Sequence, residues 1–418
     1  MITIKKPYIT KDENLAYLRA KIYISQDTAK KYIEKTSKLD KCAWLTMMDY
    51  PPAIWDSSNN NLWFSVKKEY ADYLCEERSN AFVVALLWYA MITESDICFE
   101  APMSKNLYDG LTQKIIPALM RDSNTIISLK GPVTSDLVSG EQGVVCGMSC
   151  GVDSLYTLHN YVSGNAPTNA RLTHLMYCEV DYTFPFVTPP YDIDKIFLEE
   201  EHSESIVVKN AETIANRHHL SFLHIRSNLD RDFCRGGIIY SAMYRYLACV
   251  LALEKLNSLY IISSSGSGNR VTEISLTSPT QNYENLICES LRTEKLNYVI
   301  SDNETRVNKI REIADDKDFQ EFAYVCYLNG TIPNCGECFG CMKTIIPLDI
   351  LGKLDVFEKV FDIKKYYANR KDIFKSLFQF SKRPEMSFAR EIVRQILKLA
   401  LEEGNEAGRE FIEVYNDM

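Results

Sequence analysis

Residues 143–162 read GVVCGMSCGVDSLYTLHNYV, which is an apolar run, a turn of small residues and a helix-like run. A chain that turns from a strand into a helix in this way aims unpaired backbone N–H groups, and the positive end of the helix dipole, at the turn. The stretch therefore predicts an anion-binding turn. We call this turn the phosphate loop, and it consists of Ser149, Cys150, Gly151, Val152, Asp153 and Ser154.

Asp153 indicates which anion the phosphate loop binds. A carboxylate repels a bare phosphate unless a divalent cation bridges the two groups. The hydroxyls of Ser149 and Ser154 add hydrogen-bond donors at the rim of the loop. We therefore expect the loop to bind a nucleotide together with Mg²⁺. The alternative is a serine-rich turn in which Ser149 or Ser154 only caps a helix.

The phosphate loop resembles the Ser-Gly-Gly-x-Asp-Ser signature of the PP-loop ATP pyrophosphatases, which split ATP between its α and β phosphates. It differs from the Walker loop, whose Gly-Lys-Ser/Thr ending is absent from the chain. Cys150 stands where the PP-loop signature has its first glycine. If the backbone takes a positive φ there, the cysteine side chain carries a cost that glycine does not.

The chain from Gly143 onward alternates between strand-like and helix-like segments. Such alternation builds a parallel sheet that is covered by helices on both faces. Open sheets of this kind bind ligands beyond the carboxyl ends of their strands. The predicted elements are strand 144–148, helix 154–162, strand 172–179, helix 205–219, strand 221–226, helix 238–256 and strand 259–263.

The sequence on either side of this alternating part predicts two further segments. Residues 1–140 predict an α+β domain without a recognisable motif, and residues 351–418 predict a helical segment in which 390–403 is amphipathic. Residues 141–350 form the α/β domain between them. The N-terminal elements are predicted as strands 20–25, 42–48, 62–66 and 125–129 and helices 80–93 and 108–121.

Four cysteines follow the α/β alternation in the pattern C-x8-C-x2-C-x2-C. Thiolates with this spacing favour a tetrahedral Zn²⁺ ion, and Gly336 and Gly340 relieve crowding in the tight turns. No histidine lies nearby in the sequence, so we expect a closed, all-sulfur, structural site. An iron–sulfur cluster and unmetallated thiols are the alternatives. The ligands are Cys326, Cys335, Cys338 and Cys341.

The composition of the chain argues against membrane and nucleic-acid partners. The chain has no apolar run of membrane-spanning length and no signal peptide, so we expect a cytoplasmic protein with reduced thiols and no membrane partner. Its net charge of −9 argues against a broadly basic surface, so nucleic acid is not an expected partner.

The combination of a six-residue PP-loop motif and, further along the chain, this cysteine pattern resembles that of the 7-cyano-7-deazaguanine synthase (QueC) family. The resemblance covers about residues 143–350. It implies a PP-loop fold, zinc at the cysteines, and a reaction in which ATP adenylates the carboxylate of 7-carboxy-7-deazaguanine. Ammonia then displaces AMP to give an amide, and a second activation dehydrates the amide to the nitrile. The implied small-molecule partner is a deazapurine carboxylate.

The resemblance also implies catalytic residues. Asp153 would hold Mg²⁺, and a second, cationic clamp is expected because similar enzymes carry basic residues between the last sheet strand and the cysteines. Arg306 and Lys309 are the candidates here. The alternative is a solvated helix face formed by Arg306, Lys309 and Arg311. Arg245, inside an apolar helix-like run, either reaches the site or snorkels to solvent, and we expect it to snorkel.

The added segments 1–140 and 351–418 are a departure from the family, whose stand-alone enzymes are little more than the core. They suggest a larger nucleophile, another protein or oligomerisation. QueC-like proteins also occur in bacterial anti-phage gene clusters, where a protein amine is an acceptor to be expected. The leading hypothesis is an adenylate-forming ligase that joins a deazaguanine carboxylate to ammonia or to a partner-protein amine. The alternatives are a stand-alone synthase of queuosine-type biosynthesis, a PP-loop tRNA sulfurtransferase and an inactive nucleotide-binding scaffold.

Overall fold

The structure is a computed structural model that describes residues 1–39, 60–123, 125–165, 170–180, 205–234, 236–265, 274–326, 334–383 and 387–418. The chain divides into two compact units. The first, here called the sheet unit, comprises Met1–Gly147, Ala170–Tyr182 and Leu220–Ser301. The second, here called the helical unit, comprises Met148–Asn169, Thr183–His219 and Asp302–Met418.

The named strands all belong to the sheet unit, together with some of the helices. The strands are β1 (Ile2–Ile4), β2 (Tyr8–Lys11), β3 (Leu15–Ile24), β4 (Asn61–Lys67), β5 (Ile97–Phe99), β6 (Met103–Ser104), β7 (Leu129–Lys130), β8 (Val133–Thr134), β9 (Gly143–Gly147), β10 (His174–Glu179), β11 (Ser221–Ser227), β12 (Asn257–Ile262) and β13 (Asn297–Ile300). Its α-helices are α1 (Gln26–Leu39), α2 (Asn80–Thr93), α3 (Lys105–Gly110), α4 (Ile116–Leu119), α7 (Ile238–Ala252) and α8 (Glu284–Ser290).

The helical unit contains the phosphate loop and the cysteine cluster. Its α-helices are α5 (Val152–Ser163), α6 (Ile206–Arg217), α9 (Arg306–Ile313), α10 (Lys317–Phe322), α11 (Phe339–Ile350), α12 (Ile363–Lys382), α13 (Ser387–Glu403) and α14 (Glu406–Asn416). The helical character predicted beyond residue 350 is confirmed for the part of this segment that the structure describes.

A parallel sheet with the strand order β13-β12-β9-β10-β11 forms one half of the sheet unit. The chain runs outward in one direction from β9 through β10 to β11, and then in the other direction through β12 to β13. The strand order therefore reverses between β9 and β12, which is the place where open α/β sheets bind ligands beyond the carboxyl strand ends. The α/β class with a mostly parallel sheet is confirmed, while the PP-loop fold stays a prediction.

The N-terminal strands belong to this same sheet. β4 pairs with β11 in the antiparallel sense and continues through β3 to β1. β1 pairs in parallel with β5, and β5 with β7. Residues before 140 therefore extend the sheet that the later strands begin. The proposed domain boundaries at residues 140 and 350 stay predictions.

Burial of apolar side chains explains both the sheet and its central helix. Along β3 the buried residues alternate with half-buried or exposed ones, as a strand with one covered face requires. Every residue of α2 is buried, which its apolar sequence NAFVVALLWYAMIT permits on all sides. This helix packs against α7 within the sheet unit. None of the helices in the described part of the chain combines the length and the apolar character that a membrane crossing requires.

Two of the predicted N-terminal elements differ in the structure. The predicted helix 108–121 is divided by a π-turn at Leu111–Ile115 into α3 and α4, next to Pro117, which has no N–H group to donate. The predicted strand 125–129 is reduced to β7 at Leu129–Lys130. The predicted strand 42–48 lies outside the described residues.

Arg245 does not snorkel, which corrects the expectation from the sequence. Arg245 is only 1% exposed, and its guanidinium forms an ion pair with Asp230. It also donates to the carbonyl oxygens of Cys234 and Gly236, at 2.8 and 2.9 Å, and to Ser241 Oγ at 2.8 Å. These acceptors replace water around the guanidinium, so the charge stays inside the sheet unit.

Loss of the Arg245 charge should destabilise the sheet unit strongly. In Arg245→Met, the buried Asp230 carboxylate loses its cation, and we expect the free energy of unfolding to fall by about 3–5 kcal/mol. Urea unfolding followed by tryptophan fluorescence measures this change. Arg311→Met is the control, since Arg311 pairs with Glu402 on the surface and its loss should cost less than about 1 kcal/mol. Equal unfolding midpoints for the two variants would contradict the assignment of Arg245 as a buried structural charge.

Candidate functional site

The phosphate loop connects β9, which ends at Gly147, to α5, which begins at Val152. Gly151 is the N-cap residue of α5 and, being glycine, has no side chain that could accept from the first turn. The Oγ atoms of the two loop serines lie 3.3 Å apart, Ser149 Oγ accepts from the N–H of Gly151 at 3.4 Å, and Ser154 donates to the carbonyl of Gly151. Neither serine occupies the N-cap position, so the first-turn N–H groups have no N-cap side chain.

Cys150 has a left-handed backbone with φ of +57°. A side chain in this conformation costs about 1–2 kcal/mol, which explains why the resembling signature has glycine at this position. The thiol is fully buried, and burial together with the charge of Asp318 raises its pKa. Cys150 is therefore a packed, protonated residue and not a nucleophile.

Asp153, in the first turn of α5, accepts from two cations of α9. Arg306 Nη1 lies 3.1 Å from Asp153 Oδ2, and Lys309 Nζ lies 3.2 Å from Asp153 Oδ1. The two cations are three residues apart, which places them on the same side of the helix. Lys309 also pairs with Asp302 at 2.9 Å. The predicted site residues Asp153, Arg306 and Lys309 are thus brought together in the helical unit.

The solvated-face alternative fails for two of its three residues. Arg306 is 7% exposed and Lys309 is fully buried, whereas Arg311 pairs with Glu402 on the surface. Arg306 Nε is buried and has no hydrogen-bond acceptor among the described residues. A buried guanidinium N–H without an acceptor is costly, so this cluster is suited to receive an anionic ligand.

The cations also determine the charge state of Asp153. Burial acts to raise the pKa of its carboxyl group, but the charges of Arg306, Lys309 and Lys343 outweigh burial and hold this pKa below its usual range. The group is therefore ionised at neutral pH. Its contribution to stability is present above the pKa of the unfolded chain and is lost as the pH falls through the lower pKa of the folded state.

The four cysteines converge as their spacing predicts. All four Sγ atoms lie within 4.8 Å of one another, and three of the separations are 3.5, 3.8 and 3.9 Å. With zinc–sulfur bonds of about 2.3 Å, the sulfur–sulfur edge of a regular tetrahedron is about 3.8 Å. The backbone N–H groups of Glu337 and Cys338 point at Cys335 Sγ. The cluster can therefore hold a single metal ion such as zinc, as expected.

Two contacts relate the cysteine segment to the charged cluster. The N–H of Tyr324, two residues before Cys326, donates to the carbonyl of Cys150 at 2.8 Å. On the other side, α11 begins directly after Cys338, and its Thr344 Oγ1 lies 3.3 Å from Arg306 Nη2. The segments that carry the candidate metal ligands thus contact both the phosphate loop and Arg306.

Three residues of this site lack a sequence motif of their own. Asp302 follows β13, a strand that the sequence pattern does not predict. Lys343 and Thr344 follow Cys341 on α11, and no pattern in the sequence indicates them. A Gly/Ser stretch, residues 263–268, follows β12 and is described only as far as residue 265. Its Ser264 hydroxyl donates to the buried Glu284 at 3.0 Å within the sheet unit.

A cavity of about 270 Å³ lies along another side of α9. Its lining includes none of Asp153, Arg306 and Lys309. We therefore assign the candidate site to the charged cluster and not to this cavity. The lining residues are Thr305, Val307, Asn308, Arg311, Glu391, Arg394, Gln395, Lys398, Leu399 and Glu402.

No family model, curated protein or solved structure matches this chain. The resemblance to the 7-cyano-7-deazaguanine synthase family therefore rests on the two motifs and their spacing, and it stays a hypothesis.

Substitutions at Cys150 should separate the backbone requirement from the thiol. In Cys150→Gly, relief of the left-handed strain offsets the lost burial, so stability should stay within about 1 kcal/mol of the wild type. In Cys150→Val, a β-branched residue at positive φ should lower it by about 2 kcal/mol or more. Cys249→Val, at a buried helical position, is the matched control and should cost less. Urea unfolding measures these changes. Equal losses of stability in Cys150→Val and Cys249→Val would contradict backbone strain at Cys150.

Metal analysis tests the cysteine cluster. We expect about one zinc ion per purified chain, because four thiolates fill a tetrahedral zinc site. Cys338→Ser should lower the zinc content and the melting temperature. Cys98→Ser, which changes a half-buried cysteine of β5, should do neither. Inductively coupled plasma mass spectrometry provides the measurement, and stoichiometric iron or the absence of metal would contradict the assignment.

Proposed function

We propose that this protein is an ATP-dependent ligase that activates a carboxylate by adenylation and transfers it to an amine. The observation that carries the proposal is the pairing of Asp153, in the first turn of α5, with the buried Arg306 and Lys309. Two buried cations and a helix N-terminus are groups that bind a polyphosphate, and a carboxylate beside them can bind its metal ion. The resemblance of the phosphate loop to the PP-loop signature supports ATP as that ligand.

The cations serve the first step of the reaction. A substrate carboxylate oxygen attacks the α phosphorus of ATP, the bond from this phosphorus to the bridging oxygen breaks, and pyrophosphate leaves with the electron pair. Arg306, Lys309 and the N–H groups of the loop are suited to neutralise the charge that develops on pyrophosphate. Asp153 and the phosphate oxygens would hold Mg²⁺, which supplies further charge neutralisation.

The second step consumes the adenylate. An amine nitrogen attacks the activated carbonyl carbon, AMP leaves with the carbon–oxygen electron pair, and the nitrogen loses a proton. The resemblance supports a 7-carboxy-7-deazaguanine-type carboxylate as the substrate class. It supports ammonia or the amine of a partner protein as the nucleophile, with a role in anti-phage defence in the latter case.

The cysteines support ligation over sulfur transfer. A sulfurtransferase needs an accessible thiolate or an open metal position to carry the sulfur. Cys150 is buried, and the four converging cysteines fill the positions of a tetrahedral metal. In the ligase, the cluster has a structural role.

A product assay tests the ligase. The protein is incubated with ATP, Mg²⁺, 7-carboxy-7-deazaguanine and ammonium, and we expect AMP and pyrophosphate in equal amounts. Asp153→Asn should lower their formation by about 100-fold or more, because both the metal ligand and the counter-charge of the clamp change. Asp315→Asn, at an exposed carboxylate that pairs with Lys353, should behave like the wild type.

The products distinguish the competing functions. ADP and phosphate would contradict adenylation, and transfer of sulfur to tRNA would favour the sulfurtransferase. Tight ATP binding without turnover in the presence of any carboxylate and amine would favour the inactive scaffold. Mass spectrometry of proteins encoded beside the gene and co-expressed with it would identify a protein acceptor by an added deazaguanine mass.

A further inference from the structure

Lys343 is a buried cation on α11, next in the chain to the Thr344 that contacts Arg306, and no motif indicates it. It lies on α11, two residues after the metal ligand Cys341, and it is 9% exposed. Its Nζ lies 5.6 Å from the centre of the Phe339 ring and 5.3 Å from that of Phe388. Aromatic faces attract an ammonium group without cancelling its charge. The charge of Lys343 lowers the pKa of the Asp153 carboxyl group, as the charges of Arg306 and Lys309 do.

The position of Lys343 depends on α11, and the start of α11 depends on the cysteines. Cys338 is the N-cap residue of this helix and Cys341 lies in its first turn. The first turn of a helix lacks intrahelical acceptors for its N–H groups and frays most readily, so a metal ion bound there fixes it. Thr344, next to Lys343, is fully buried and accepts from Arg306. A shift of this turn would move both residues away from the clamp.

The same cluster also supports the phosphate loop. The segment that leads into Cys326 is tied by the Tyr324 N–H to the carbonyl of Cys150, whose backbone is strained. A loop held in a left-handed conformation persists only when its surroundings fix it. Metal ligands therefore lie within two residues of one support of the loop and within three residues of one support of the clamp.

We propose that Lys343 is a third phosphate-binding cation, beside Arg306 and Lys309, and that the metal-bound cysteine cluster holds it in place, so that metal occupancy sets the affinity for the nucleotide. The inference rests on the proposed function, because it assigns the ligand of this cluster as the polyphosphate of ATP. Lys343 binds and positions the ligand, whereas Thr344 is a positioning residue that acts through Arg306.

Isothermal titration calorimetry with inorganic pyrophosphate and with ATP and Mg²⁺ tests the first part. Lys343→Met keeps an aliphatic side chain between the two rings and removes the charge, so we expect the Kd for both ligands to rise about tenfold or more. Lys343→Arg should retain most of the affinity. Lys353→Met, at an exposed lysine that pairs with Asp315, is the control and should leave the Kd unchanged.

Metal removal tests the second part. Chelation of the wild type should weaken binding of pyrophosphate, and added Zn²⁺ should restore it. Because metal and Lys343 act together, chelation of Lys343→Met should weaken binding by a smaller factor than chelation of the wild type. Circular dichroism and zinc content establish that each variant is folded and loaded. Equal factors for the two proteins would overturn the coupling.

The outcomes separate this inference from the proposed function. If Arg306→Met weakens binding of ATP and Lys343→Met does not, the inference is overturned and the ligase stands. If the wild type binds neither pyrophosphate nor ATP, the proposed function is overturned, and the inference with it.

Discussion

The ion pairs that join Asp153 to Arg306 and Lys309 are the constraint on which the rest of the site depends. They connect α5 to α9 within the helical unit, and they place buried positive charge beside the amino end of a helix. Buried charges are tolerated only when they are paired. The pairs therefore explain how the chain keeps these cations away from water and oriented towards the phosphate loop.

The sequence predicted the motifs of this site better than their surroundings. The strand–turn–helix pattern around residue 149 and the C-x2-C spacing each specify local backbone geometry, so the phosphate loop and the cysteine cluster could be located. Lys343 and Thr344 could not be assigned a role, because their position results from how α11 packs and not from a local pattern. Arg245 was misjudged for a related reason. Whether an arginine snorkels depends on acceptors elsewhere in the fold, here Asp230 and two carbonyl groups.

The fold shows the same division between local and distant information. The apolar run of α2 and the β-like stretch 20–25 are local signals. Helix α2 is found as predicted, and the stretch is found as the second half of β3. The pairing of β4 with β11 joins segments far apart in the chain, and no local sequence pattern predicts it. The sequence also gave no indication of β13, because a strand of only a few residues at the end of a sheet is held mainly by its neighbour.

The β4–β11 pairing has a consequence for folding during synthesis. Trp63 N–H donates to Asn228 Oδ1, across 165 positions of the chain. As the ribosome releases the N-terminal strands, the free edge of β4 must wait until β11 has been synthesised. An open strand edge is a template for unwanted pairing during that interval. The N-terminal strands are therefore exposed to misassembly while this edge is open, and truncation before β11 would leave the edge open permanently.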